Sequence, residues 1–220
     1  MILDILYPRK CILCEQLLDS NETDLCHHCR RDTQEFLKGK FKISFVARWT
    51  ALWYYTDNVR QSLLRFKFAG RRHYAAVYGR LLAMKILDHN LDDFDILTWV
   101  PISFRRRWKR GFDQVELIAK AVARELGCQA TPTLKKIRHN PPQSGFGNAA
   151  QRRANVLGVY RVRNREQITG KRILLLDDII TSGATVSECA KALLSAGAGE
   201  IRCAVIAAAP SDKKQSQQKR

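Results

Sequence analysis

Along the chain, short unbroken apolar runs alternate with stretches of helical spacing. Residues 173–176 (ILLL) carry four apolar positions with no polar alternation, the pattern of a strand buried on both faces of a parallel sheet. The run stops at two adjacent acids, Asp177 and Asp178. After Thr181-Ser182-Gly183-Ala184-Thr185, apolar residues recur at Val186, Cys189, Ala190, Leu193 and Leu194. That i, i+3, i+4, i+7, i+8 spacing predicts a helix. The same order occurs upstream. Residues 95–101 (DILTWVP) predict another buried strand, and Val115, Ile118, Ala119, Val122, Ala123 and Leu126 predict a helix with Gly127 at its C-terminal cap. Between them, residues 105–112 (RRRWKRGF) read as a cationic loop.

Residues 46–55, rich in Trp, Tyr and Val, predict a strand. A helix capped by Asn58 follows, with Val59, Leu63 and Phe66 on one face, then a second with Tyr74, Val77, Tyr78, Leu81 and Leu82. Residues 158–162 and 201–209 predict a short strand and a last apolar one. Arg161, Arg163 and Arg165 alternate, which places them on one exposed face. Residues 133–156 lack periodicity, are punctuated by Gly and Pro, and spread Lys135, Lys136, Arg138, Arg152 and Arg153 along their length. A loop this long suits a mobile lid over an active site, and a plain linker is the alternative. Strands alternating with helices indicate an α/β fold with a parallel sheet flanked by helices.

The chemistry concentrates where strands give way to helices. Small hydroxyl residues and a glycine at 181–185 meet the free N–H groups and positive dipole end of a helix, which suits a phosphate. The paired acids beside them suit a ribose diol or a metal. The cations at 105–110 lie at a strand's C-terminal end, where open α/β sheets take ligands. Pyrophosphate is a natural guest there; a solvated patch or a nucleic-acid contact is the other reading.

Cys11-x-x-Cys14 and Cys26-x-x-Cys29 are two knuckles with eleven residues between them, the arrangement of a closed structural zinc site. His27 and His28 are read as solvent-side residues of the second knuckle. So small a segment needs its metal to fold. Cys128, Cys189 and Cys203 lie in or beside apolar patterns and read as buried small hydrophobes. The expected organisation is a zinc-binding domain over residues 1–40, a main domain over 41–209, and a disordered basic tail over 210–220, with a polar linker near 32–42.

Composition adds one strong constraint. The 220 residues carry a formal net charge of +17, which points to an anionic partner. Trp49, Trp53, Tyr54 and Tyr55 could stack bases or pack the sheet against its helices. No apolar run approaches the length of a membrane span, and residues 1–14 do not form a secretory signal, so a cytoplasmic protein is expected.

Five segments together resemble one family. LLLDDIITSGAT is similar to the phosphoribosyl diphosphate (PRPP) motif of type I phosphoribosyltransferases. YPRKCILC…LCHHCR, LLRFKFAG, DILTWVPISFRRRWKRGFDQ and IRHNPPQSGFGNAAQRRANV resemble, in the same order, the further blocks of the ComF competence family (ComFC/GntX-like). Asp113 stands where that family has Asn, Ser182 where a second Thr is common, and Trp99-Val100-Pro101 where Pro-Val-Pro is usual. The resemblance implies a type I phosphoribosyltransferase-like sheet with an N-terminal zinc knuckle held by Cys11, Cys14, Cys26 and Cys29. It implies that Thr181, Ser182, Gly183, Ala184 and Thr185 hold the 5′-phosphate of PRPP. Asp177 and Asp178 would contact the ribose hydroxyls, partly through Mg²⁺, and Arg110 and Gly111 would meet the pyrophosphate. Lys67, Arg138, Gln143 and Arg152 complete the expected set, and Asp177, Asp178 and Arg110 are the residues expected to carry catalysis. Two activities follow from it: phosphoribosyl transfer to a nucleobase or amine, and PRPP-dependent handling of single-stranded DNA in natural transformation. The second would involve a competence helicase or DNA-uptake proteins as partners. Asp113 brings a negative charge to the mouth expected to hold pyrophosphate.

Overall fold

The computed structural model describes residues 9–37, 42–138 and 149–210. Helix α1 (His27–Asp32) lies in the cysteine-bearing segment. The main domain contains β1 (Arg48–Tyr54), α2 (Asp57–Phe68), α3 (Tyr74–Asp88), β2 (Ile96–Trp99), α4 (Phe104–Arg110) and α5 (Gln114–Glu125). It continues with β3 (Leu134–Lys136), α6 (Ala149–Val156), β4 (Tyr160–Val162), β5 (Arg172–Ile180), α7 (Ala184–Ser195) and β6 (Glu200–Ala208). Four strands form one parallel sheet in the order β1-β6-β5-β2, and β3 and β4 form a separate antiparallel pair.

The unbroken apolar runs are buried on both faces, as the pattern requires. On β5, Leu174 and Leu176 pack with Val59, Leu63, Phe66, Ile118 and Val122. Ile173, Leu175 and Ile180 pack with Val186, Cys189 and Leu193. Helices therefore cover the sheet from both sides. Helices α3 and α5 approach so closely that a Cβ added at Gly79 would overlap the Ala121 side chain and stand 2.8 Å from its carbonyl carbon.

Register makes the crevice. Trp99, the last residue of β2, pairs with Leu176, and the Val100 N–H donates to Leu176 O at 2.9 Å. Strand β5 runs on through Asp177 to Ile180 beside β6. The two acids thus stand past the end of β2, at the C-terminal edge of the sheet where ligands enter open α/β folds.

The structure corrects several sequence expectations. Residues 104–110 are helical, not a loop. Helix α2 starts after Thr56, and no side chain caps it. The aperiodic stretch 133–156 contains β3 and α6, although residues 139–148 of it lie outside the described residues. The expected linker is anchored: Phe36 is 1% exposed, its N–H donates to Leu52 O at 3.0 Å, and Glu35 bridges to Trp53 at the edge of β1. Trp53 is buried and Trp49 and Tyr54 pack against Phe36, so these rings hold the sheet together. The tail beyond Pro210 lies outside the described residues. Among the described residues no helix is long and apolar enough to cross a membrane.

Candidate functional site

Successive residues of a strand face opposite sides, and this separates the adjacent acids. Asp178 follows Leu174 and Leu176 towards α2 and α5. Its Oδ2 accepts from Lys67 Nζ at 2.9 Å and from Gln114 Nε2 at 2.9 Å. Gln114 in turn accepts from Arg110 Nη1 at 2.7 Å. Burial pushes the Asp178 carboxyl up, but Lys67, Gln114 and Arg110 outweigh it and hold the group below the usual carboxylate range. Asp177 faces the other layer. Burial, reinforced by the Asp178 charge, pushes it well above that range. The two adjacent acids, each 7% exposed, are thus pushed in opposite directions by their surroundings.

The turn after β5 is prepared for an anion. Gly183 closes it in the left-handed region (φ 72°), and no side chain caps α7. The start of this twelve-residue helix follows a glycine, which has no side chain to cap it, and a helix start offers backbone N–H groups and a positive dipole end to an anion. Ser182 Oγ is buried and has no hydrogen-bond partner among the described residues. Asp177, Thr181, Gly183, Ala184 and Thr185 line a small concavity there. An unsatisfied buried hydroxyl beside uncapped N–H groups fits a phosphate, which accepts from both.

The other expected residues take various places. Arg110 stacks on Phe68 with its guanidinium carbon 4.8 Å from the ring centroid. Gly111 is the left-handed cap of α4 (φ 76°). Arg138 donates to Leu157 O and Gly158 O, each at 3.2 Å, so it ties β3 to the turn before β4. Gln143 lies outside the described residues, and Arg152 falls on α6 with its side chain undescribed. Lys136 sits over the Tyr160 ring, 5.3 Å from its centroid, and burial lowers its pKa to about 8.

Two residues near the site were not read as functional from sequence, or were read differently. Gln114 lies in the first turn of α5 and links Arg110 to Asp178; its sequence signal was only its place in the RGFDQ block. Asp113 proves to be a cap. Its Oδ1 accepts from Val115 N at 3.0 Å and Glu116 N at 3.2 Å, and its Oδ2 from Ile102 N at 3.1 Å. Its charge is absorbed by backbone donors that fix the end of β2 against the start of α5.

The four knuckle cysteines converge. Their sulfurs lie within 4.8 Å of one another, with Cys14 Sγ and Cys26 Sγ 3.6 Å apart. Tetrahedral zinc with bonds of about 2.3 Å spaces its sulfurs by about 3.8 Å. Burial pushes the Cys14 and Cys29 thiols up, so a full set of thiolates needs a cation among them. The donor set fits zinc and leaves no open position.

The phosphoribosyl transferase domain family matches residues 116–219, and the double zinc ribbon domain family matches residues 2–41. DNA utilization protein YhgH of Salmonella typhimurium is 31% identical over 153 residues, covering 67% of this chain and 66% of that protein. Competence protein F of Haemophilus influenzae is 28% identical over 155 residues, covering 68% and 67%. Competence protein ComFC of Streptococcus pneumoniae is 28% identical over 181 residues, covering 82% and 75%. The chain thus spans just under two thirds of the length of the Salmonella relative.

Proposed function

The chain belongs to the ComF competence family, and we propose that it is a cytoplasmic PRPP-binding protein that serves the use of DNA by handling single strands. The observation that carries this reading is the end of β5. There an acid pair, a cation linked to it and an uncapped helix start with an orphaned hydroxyl meet at one edge of the sheet. A sugar bearing a phosphate and a pyrophosphate has the matching parts. The backbone of 181–185 and Ser182 Oγ would take the 5′-phosphate, and Asp177 and Asp178 the ribose hydroxyls. Arg110 and Lys67 would face the pyrophosphate. The acid pair also offers the hard oxygen donors that Mg²⁺ takes, and the ion would neutralise pyrophosphate charge when bound.

The names of the relatives support the DNA part of the proposal, as does the net charge of +17. A second reading is phosphoribosyl transfer to a nucleobase or amine. It is favoured by the same acids and cations, which suit a sugar carbon that becomes cationic as pyrophosphate departs. Thermal shift tests the shared premise. PRPP with Mg²⁺ at about one hundred times its Kd should add about 2.7 kcal/mol of stability, and ribose 5-phosphate or pyrophosphate alone should add less. No shift with PRPP would refute both readings. Pyrophosphate release in the presence of a small acceptor, and not of DNA, would favour the second.

A further inference from the structure

Helix α4 differs from every other helix of the sheet domain whose side chains are described throughout: none of its seven residues is buried. Its ends are nevertheless fixed. Ser103 Oγ accepts from Arg106 N at 3.4 Å at one end, and Gly111 closes the other. Phe104 and Trp108 are 82% and 81% exposed, and four residues apart they stand one turn apart on one face. Phe68, at the end of α2, is 67% exposed and lies beneath Arg110. Folding gains nothing from aromatic rings left in water, and apolar groups exposed among charges mark binding surfaces.

The charges around the rings have a definite character. Arg105 and Lys109 are also four apart, are exposed, and their side chains have no ion pair or hydrogen bond among the described residues. Arg107 is engaged by Glu116 at 3.1 Å. Cations spaced between open ring faces suit a ligand with negative charge at regular intervals and flat groups free to stack.

We infer that the α4 surface, with Phe68, is a stacking platform for single-stranded DNA. This rests on the DNA part of the function proposed above. Trp108 and Phe104 take bases on their faces, and Arg105 and Lys109 take the neighbouring phosphates. Duplex DNA does not fit, because its bases are already stacked on each other. The platform borders the proposed PRPP site, since Arg110 on the same helix reaches Asp178 through Gln114.

The test is fluorescence anisotropy of a labelled oligo(dT) of about twenty nucleotides with the full chain. Phe104→Ala with Trp108→Ala should weaken binding about 30-fold or more, two stacked bases being lost, and Trp108→Tyr should keep most of it, because either ring stacks. Arg105→Gln with Lys109→Gln should lower the slope of log affinity against log salt by about 1.4, two phosphates at about 0.7 each. Circular dichroism should not change in any variant, since no residue of α4 is buried, and PRPP affinity should not change in the aromatic variants. If the wild type binds oligo(dT) and the aromatic variant binds equally well, the platform is refuted while the DNA reading stands. If the wild type binds no single strand, both fall, and PRPP binding is judged separately. Tighter binding to duplex, to oligo(rU) or to anionic vesicles than to oligo(dT), lost in the same variants, would also overturn the assignment.

Discussion

At the scale of residues, the ion pair of Lys67 with Asp178 is the most sensitive element. The two side chains are 14% and 10% exposed, so removing one partner strands a buried charge. Lys67→Met should therefore cost about 3–5 kcal/mol in urea unfolding, and Lys67→Met with Asp178→Asn should recover most of the loss. Equal losses in the single and double variants would show that the pair is not coupled. Lys136 gives a pH prediction. Its folded pKa of about 8 lies below the ordinary 10.5, so between these values the unfolded chain binds more protons and stability rises with pH. The Tm of the wild type should gain a rising component across that window, and Lys136→Met should remove it. The acids were legible in the sequence because they interrupt an apolar run. The opposite shifts of their carboxyl pKa values were not, since those depend on Gln114, 64 residues away, and on Lys67, which local periodicity cannot connect to them. The capping role of Asp113 is hidden for a related reason: a charge in a sequence does not reveal the three backbone donors that meet it.

At the scale of elements, α2 joins the zinc ribbon to the acid pair. Ser62 donates to Ile12 O, and Arg65 Nη2 donates to Ile12 O at 3.1 Å and Leu13 O at 2.6 Å. These carbonyls lie inside the first knuckle, between Cys11 and Cys14. Two residues beyond Arg65, Lys67 meets Asp178 on the same helix. Removing zinc with a strong chelator should unfold the ribbon, loosen the end of α2 and weaken PRPP binding about tenfold or more, since even a modest misplacement costs affinity at a preorganised site. PRPP affinity unchanged after metal loss would sever that link. Packing of α3 on α5 has its own test. Gly79→Val should destabilise by about 1–3 kcal/mol, because the added carbons meet Ala121 with no room to move apart. The long helices were legible because each buries a stripe. Helix α4 was not, because a seven-residue helix with no buried face leaves no period to read. The anchoring of Phe36 on β1 was hidden for a similar reason: one apolar residue in a polar stretch has no pattern.

At the scale of the whole molecule, sheet register decides where chemistry occurs. The continuation of β5 past β2 opens the crevice, and α2, α4, α5 and α7 bring a cation, an aromatic surface, a linking amide and an uncapped helix start to its rim. The parallel arrangement followed from the apolar runs, whereas the overhang depends on where β2 stops, which Asp113 sets by holding Ile102. The net charge of +17 belongs to the whole chain, whereas the proposed hold on a sugar rests on the two adjacent acids. Long-range attraction for polyanions and short-range recognition of a diol therefore reside in different groups. Salt should separate them: binding of single strands should fall steeply with ionic strength, and binding of PRPP much less, because its partners are largely buried. The most direct measurement of the central claim is calorimetric titration of PRPP with Mg²⁺ into the wild type and Asp178→Asn. The wild type should bind one PRPP per chain, and the variant at least tenfold more weakly with its fold intact. Equal affinity in the two would contradict the assignment of the acid pair.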